Sequence, residues 1–360
     1  MTDVYERLAK KLDDMPNGYP STESGIELKI LRKIFTPEEA EIALRLKPMP
    51  ETVETIAERL EKPVPEMQTI LDNMTEKGQI ASLKAFGHQV YVLPPFAVGI
   101  VELQVNRMDK ELAELIREYE PTLVKTVGSF APAMLRVVPV SAKIHAGLQV
   151  HPYEDVRRMM EEAKSFQLAE CICRKEAAME GRPCKHTLEA CLSFSREEGA
   201  FDKYPIGKII SKEEALKVLA NSEEEGLIHS TYNVEDSQPI SFICNCCSCC
   251  CGIFRWMNEY KAPYILAKSS YWASIDQENC TACGTCADER CPVDAIVEEG
   301  DTYRVVAEHC IGCGVCIPAC SADAITLIPK PESEQDKTPA SLIEWSLSRA
   351  ASRGVEFKTD

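Results

Sequence analysis

Eighteen cysteines in a chain of 360 residues set the chemical question. Eight of them fall in two runs, C-T-A-C-G-T-C-A-D-E-R-C-P from Cys280 and C-I-G-C-G-V-C-I-P-A-C from Cys310. Each run places three cysteines at three-residue steps and a fourth a few residues later. Thiolates spaced in this way converge on one point from a single short loop, which is what a cubic iron–sulfur cluster requires. Gly284 and Gly314 stand where such a loop must pack closely or take a positive φ.

The two halves repeat each other beyond the cysteines: Cys-Pro-Val-Asp-Ala-Ile at 291–296 matches Cys-Ser-Ala-Asp-Ala-Ile at 320–325. The offset is 30 residues over the first three cysteines and 29 afterwards, as a pseudo-twofold β–α–β duplication gives. Residues 274–329 resemble the bacterial ferredoxins that carry two [4Fe-4S] clusters. That resemblance implies crossed ligation: Cys280, Cys283 and Cys286 with Cys320 in one cluster, and Cys310, Cys313 and Cys316 with Cys291 in the other. Two departures stand out: four residues separate Cys286 from Cys291 where the pattern has three, and Ser321 replaces a proline after Cys320. Zinc is the alternative for any C-x-x-C pair, and two triple runs with crossed fourth ligands disfavour it.

Ten further cysteines form two groups: Cys171, Cys173, Cys184 and Cys191, then Cys244, Cys246, Cys247, Cys249, Cys250 and Cys251. Six cysteines within eight positions point in different directions, so they serve more than one centre or some serve none. Soft thiolates select iron–sulfur or zinc over hard cations. One or two additional iron–sulfur clusters are expected, with zinc the lesser alternative and unligated or redox-exchanging thiols a third. Ten cysteines would fill two four-thiolate sites with two left over. Arg174, Lys185 and His186 could lower thiolate pKa or hydrogen-bond sulfur; otherwise they are surface charges and a satisfied histidine.

The elements that must position these groups predict a multidomain α+β chain. Residues 1–95 read as a winged-helix-like domain: helices at 26–35, 52–60 and 65–77, a capped start at Thr36-Pro37-Glu38-Glu39, then a hairpin around Phe86-Gly87-His88. Residues 96–150 read as a helical connector, with one long helix over 98–120 ended by Pro121 and a strand at 135–140. Residues 151–273 read as a central α/β cysteine-rich region. It holds a helix at 153–164, a run at 166–171 leading into the cysteines, a capping box at Ser211 and Glu214, and a helix stopped by Gly226. Residues 274–330 form the ferredoxin-like domain with its two [4Fe-4S] clusters. Residues 331–360 are a tail whose short helix at 339–349 packs back on the body or docks a partner.

The formal net charge of −17 opposes nucleic-acid binding. Residues 1–95 hold sixteen acids against twelve bases, and the expected recognition helix carries Glu66, Asp72 and Glu76 against Lys77. DNA binding is disfavoured, and protein docking or homodimerisation through the winged-helix-like region is the better use. Residues 275–330 carry ten acids against Arg290, Arg304 and Lys330, a surface that steers towards a basic partner or is simply well solvated. With no basic-then-apolar leader and no membrane-length apolar run, so many cysteines point to a reducing cytoplasm and an anaerobic host. G-x-G-x-x-G, P-loop and H-E-x-x-H motifs are absent.

The order of parts resembles long 4Fe-4S ferredoxin proteins of anaerobic bacteria over most of residues 20–330. The expected function is transfer of single low-potential electrons to or from a partner oxidoreductase or carrier. The alternatives are a redox-sensing transcription regulator and an oxidoreductase with substrate at an extra cluster in 171–251.

Overall fold

Why these residues form these elements is visible first in the helix starts. The computed structural model describes residues 3–85, 87–140, 151–236 and 239–357. Phe86 of the expected hairpin turn and residues 141–150 of the connector lie outside them. Helices α1 (Val4–Asp13), α2 (Ile26–Ile34) and α3 (Pro37–Arg45) open the chain, and Thr36 and Glu39 close a reciprocal capping box on α3. After β1 (Glu51–Thr52), α4 (Val53–Arg59) and α5 (Val64–Glu76), β2 (Ala81–Ala85) and β3 (His88–Val92) pair antiparallel, and β1 adds to β3 as a third strand.

The long helix expected over 98–120 is corrected at both ends. Val98 has φ +55 and the chain turns through Gly99, leaving only a short α6 (Val101–Leu103). A new helix, α7 (Lys110–Val127), starts at Asp109, whose side chain accepts from the Leu112 amide. Pro121 lies inside α7 instead of ending it. Its missing amide forfeits one intrahelical bond, and burial of Tyr119, Leu123, Val124 and Val127 on the same helix offsets that loss.

The central region is built on β4 (Leu135–Val138), α8 (Val156–Met159), β5 (Ser165–Glu170), α9 (Ile172–Met179), β6 (Glu189–Ser195), β7 (Lys208–Ile210), α10 (Lys212–Glu224), β8 (Ile228–Tyr232), β9 (Ser241–Cys246), α11 (Gly252–Glu259) and β10 (Leu266–Ala267). The seven strands form one sheet in the order β10-β4-β8-β9-β6-β5-β7. Every pairing is antiparallel except β10 with β4. The α/β expectation for this region is therefore corrected to α+β, because hairpin-like returns, not βαβ crossovers, order the strands. The helix expected over 153–164 is also shorter: Asp155 caps α8 after a single turn at Pro152–Glu154. The capping box at Ser211 and Glu214 forms, and Gly226 follows α10 with φ +74.

One apolar cluster runs from α1 (Leu8, Leu12) through α7 (Leu112, Tyr119) to Cys246, Cys251 and Phe254, and on to Ile311 and Val315. The N-terminal unit, the central sheet and the second cysteine run thus share a core. β11 (Tyr271–Ile275), β12 (Ile296–Glu299), β13 (Thr302–Val305) and β14 (Ile325–Pro329) follow, and α12 (Leu342–Arg353) closes the chain. α12 packs back on the body: Trp345 Nε1 donates to Ala133 O at 2.8 Å, and Arg353 reaches Asp13 O at 2.8 Å. Among the described residues no helix is long and apolar enough to cross a membrane.

Candidate metal centres

The two cysteine runs hang between short strand pairs. β11 lies antiparallel to β14, with Ile275 opposite Ile325, and β12 to β13, with Ile296 opposite Val305. Between them Ala273, Ala295, Ile296, Ile317 and Leu327 are buried around Cys286, Cys310 and Cys316. A small cavity is lined by Cys310, Cys313 and Cys316 together with Cys291, and walled by Ala273, Pro292, Ala295 and Val315. In the other set, Cys286 lies within electrostatic reach of Cys283, Cys320 and Cys280. Cys291 therefore faces the second run's three cysteines, and Cys320 lies near Cys286 of the first run. The apolar-walled cradle of the second run fits a cubic cluster, and the more open first run offers its thiols to another.

Backbone amides are aimed at the sulfurs. Ala295 N–H donates to Cys291 Sγ at 3.1 Å, and its repeat equivalent, Ala324 N–H, to Cys320 Sγ at 3.3 Å. Ala273 N–H reaches Cys310 Sγ at 3.5 Å. Donors placed this way stabilise negative charge on sulfur and tune reduction potential. The two ends differ in solvation: Cys283 is exposed, whereas Cys310, Cys313 and Cys316 are buried. Burial pushes Cys313 up to about 12, while backbone amides at Ala282 and Thr285 draw Cys280 and Cys283 below the usual thiol range.

The extra residue between Cys286 and Cys291 becomes a wide π-type turn over Cys286–Arg290. That turn carries Arg290 to the end of α10, where it donates to Glu224 O at 2.8 Å. Gly312, which the sequence reading does not single out, is the most confined glycine of the loops. At φ +69, a Cβ there would lie 2.1 Å from Ser269 Oγ and 2.2 Å from Tyr271 O. Its repeat equivalent is Ala282, also at positive φ, so only the packing distinguishes the two.

The ten central cysteines separate into an outer and an inner group. Cys247, Cys249 and Cys250 occupy the turn after β9, and Cys184 joins them from the loop after α9. Cys184 Sγ lies 3.7 Å from Cys247 Sγ and 3.5 Å from Cys249 Sγ. All four sulfurs fall within 4.8 Å of one another, the one metal-ligating set among the described residues that is so tight.

The inner group is assembled from four elements. Cys171 and Cys251 are the residues on which α9 and α11 start, so both sit at helix N-termini. Cys173 lies in the first turn of α9 and interacts with both Cys171 and Cys251. Cys246 on β9 meets Cys251 and is also in reach of Cys171. Cys244, two residues earlier on the same face, meets Cys246 and Cys191.

Arg174 lies between the two groups. It is only 2% exposed, which corrects the surface reading. It donates to Thr187 O at 2.5 Å and Asn245 O at 2.8 Å. Burial opposes its charge, but Cys171, Cys247 and Cys184 around it hold the guanidinium protonated. His186 is a satisfied histidine, with Nδ1 3.4 Å from Glu225, and Lys185 is exposed.

Residues 273–321 match the family described as 4Fe-4S dicluster domain, so the C-terminal part is a ferredoxin-type dicluster segment. The chain is 40% identical over 73 residues to a ferredoxin of Rickettsia felis, covering 20% of this chain and 57% of that protein. It is 43% identical over 49 residues to a ferredoxin of Alicyclobacillus acidocaldarius subsp. acidocaldarius, covering 13% of this chain and 63% of that protein. The chain thus spans less than two thirds of either relative's length. No solved structure matches the chain.

Proposed function

We propose that this chain is an iron–sulfur electron-transfer protein working between a partner redox protein and centres of its own. The observation that carries this reading is the seating of the second cysteine run against the central sheet. Val140 N–H donates to Cys313 O at 2.9 Å, Ser269 N–H donates to Ile311 O at 3.1 Å, and Cys313 shares an apolar core with Cys246 and Cys251. The [4Fe-4S] clusters supply one-electron oxidation and reduction. The protein's part is to order the sites from outside inwards. The solvent-facing first run is ringed by exposed Asp276, Glu278, Asp288 and Glu289, which suits docking of a basic partner. The second run excludes water, and Arg174 compensates negative charge further in.

The ligand sets supported are Cys280, Cys283, Cys286 and Cys320; Cys310, Cys313, Cys316 and Cys291; and, for a third cluster, Cys171, Cys173, Cys246 and Cys251. The outer tetrad favours a different occupant. Four thiolates on a tetrahedral zinc stand about 3.8 Å apart, whereas a cubane holds its thiolates farther apart, with four irons between them. The tetrad's sulfurs lie within 4.8 Å of one another, the spacing of a single tetrahedral ion.

Anaerobically purified protein is therefore expected to contain about twelve irons and twelve sulfides, the content of three [4Fe-4S] clusters, plus one zinc. About eight irons would remove the inner cluster from the reading. Cys249→Ser should release the zinc while iron stays constant. Iron falling with it would assign the tetrad to a cluster.

The winged-helix-like unit is read as an intramolecular dock. Asp72 of α5 accepts hydrogen bonds from Tyr204 and from Tyr91 (2.9 Å), with Lys203 at 3.3 Å. Central-region side chains thus occupy part of the helix that a DNA-binding use would present to the groove.

A further inference from the structure

Once two quartets are drawn from the ten central cysteines, Cys191 and Cys244 remain, and they are neighbours. They stand directly opposite each other on β6 and β9, so their Cβ atoms leave the sheet on the same side. Each thiol interacts with the other. Both are partly exposed, unlike Cys246. A cross-strand thiol pair that is partly exposed is equipped to open and close a disulfide.

We propose that Cys191 and Cys244 form a two-electron dithiol–disulfide couple that exchanges with disulfides of a protein or low-molecular-weight thiol. One cysteine, as thiolate, attacks a sulfur of the substrate disulfide and expels one thiolate, which takes up the proton the attacker lost. The second cysteine then attacks the mixed disulfide, closing the Cys191–Cys244 bond and expelling the second thiolate with its proton. Two thiols and one disulfide go in; one disulfide and two thiols come out. In reverse, the pair accepts two electrons and two protons from a dithiol. Cys244 also touches Cys246, so the two-electron couple borders the quartet assigned to a one-electron centre. The inference rests on that quartet being Cys171, Cys173, Cys246 and Cys251.

The test uses the full-length protein with its metals, equilibrated anaerobically over a series of oxidised and reduced glutathione ratios. Samples are quenched in acid, alkylated, and mapped by peptide mass spectrometry, with iron measured on each. A reversible crosslink between Cys191 and Cys244 is expected, its thiol-to-disulfide ratio changing tenfold per about 30 mV while iron per chain stays constant. Cys191→Ser and Cys244→Ser should each abolish the crosslink and retain the iron. No crosslink in the wild type at any ratio overturns the proposal, and so does loss of about four irons in either variant, the content of one cluster. A crosslink in protein holding only about eight irons upholds the couple and rejects the inner cluster, so the two failures are separable.

Discussion

Replacing Cys291 by alanine is expected to cost the iron held by the second cysteine run, about four atoms per chain, and to spare the first run's. Cys291 follows Cys280, Cys283 and Cys286 in sequence, but its side chain lines the cavity of Cys310, Cys313 and Cys316. The Ala295 amide holds its sulfur there at 3.1 Å. Double variants give the sharpest reading. Cys291→Ala added to Cys313→Ala should remove no further iron, since both act on one site. Cys291→Ala added to Cys283→Ala should remove about eight irons, the content of two clusters. The reverse pattern in iron and sulfide analysis would assign Cys291 to its own run and reject crossed ligation.

Glu120→Ala is expected to lower folding stability by about 3–5 kcal/mol, the usual cost of stranding a buried charge. Glu120, 3% exposed on α7, accepts from Arg255 at 2.8 Å and from the Trp256 indole, both on α11. Arg117 donates to it from one turn earlier on its own helix. Removing the carboxylate leaves Arg255 buried beside Glu176, whose own pKa burial pushes up to about 7. Since α11 begins at Cys251, the same change should also hasten iron release from the inner site. Urea unfolding followed by circular dichroism, with visible absorbance recorded in parallel, reports both effects. An unchanged midpoint would mean that solvent reaches Arg255 and that the network contributes little. Glu120→Gln, which keeps the acceptor oxygen, should lie between alanine and wild type.

The capped start of α3, the α10 capping box, the hairpin strands and the ferredoxin repeat were legible because each is set by residues within a few positions of one another. Pro121 was misleading for the opposite reason. Its local signal ends a helix, but apolar burial along α7 outweighs one lost hydrogen bond. The break before α7 depends on the αL turn at Val98 and the Asp109 cap, weaker signals than the apolar periodicity that runs through them.

By itself the sequence determined the two cysteine runs, their thiolate spacing and the loop glycines at 284 and 314, because a cluster loop is short enough for spacing to dictate convergence. Only the tertiary structure decided how the ten central cysteines divide. The tetrad joins a turn after β9 to a loop some sixty residues earlier, at Cys184. The inner thiols meet only when the starts of α9 and α11 are brought to β9, and Cys191 faces Cys244 only through the β6–β9 register. Neighbours in the run from Cys244 to Cys251 meet different partners because the first two lie on β9 and the later ones on the turn and helix start that follow it, and no local pattern records which distant sulfur each will meet.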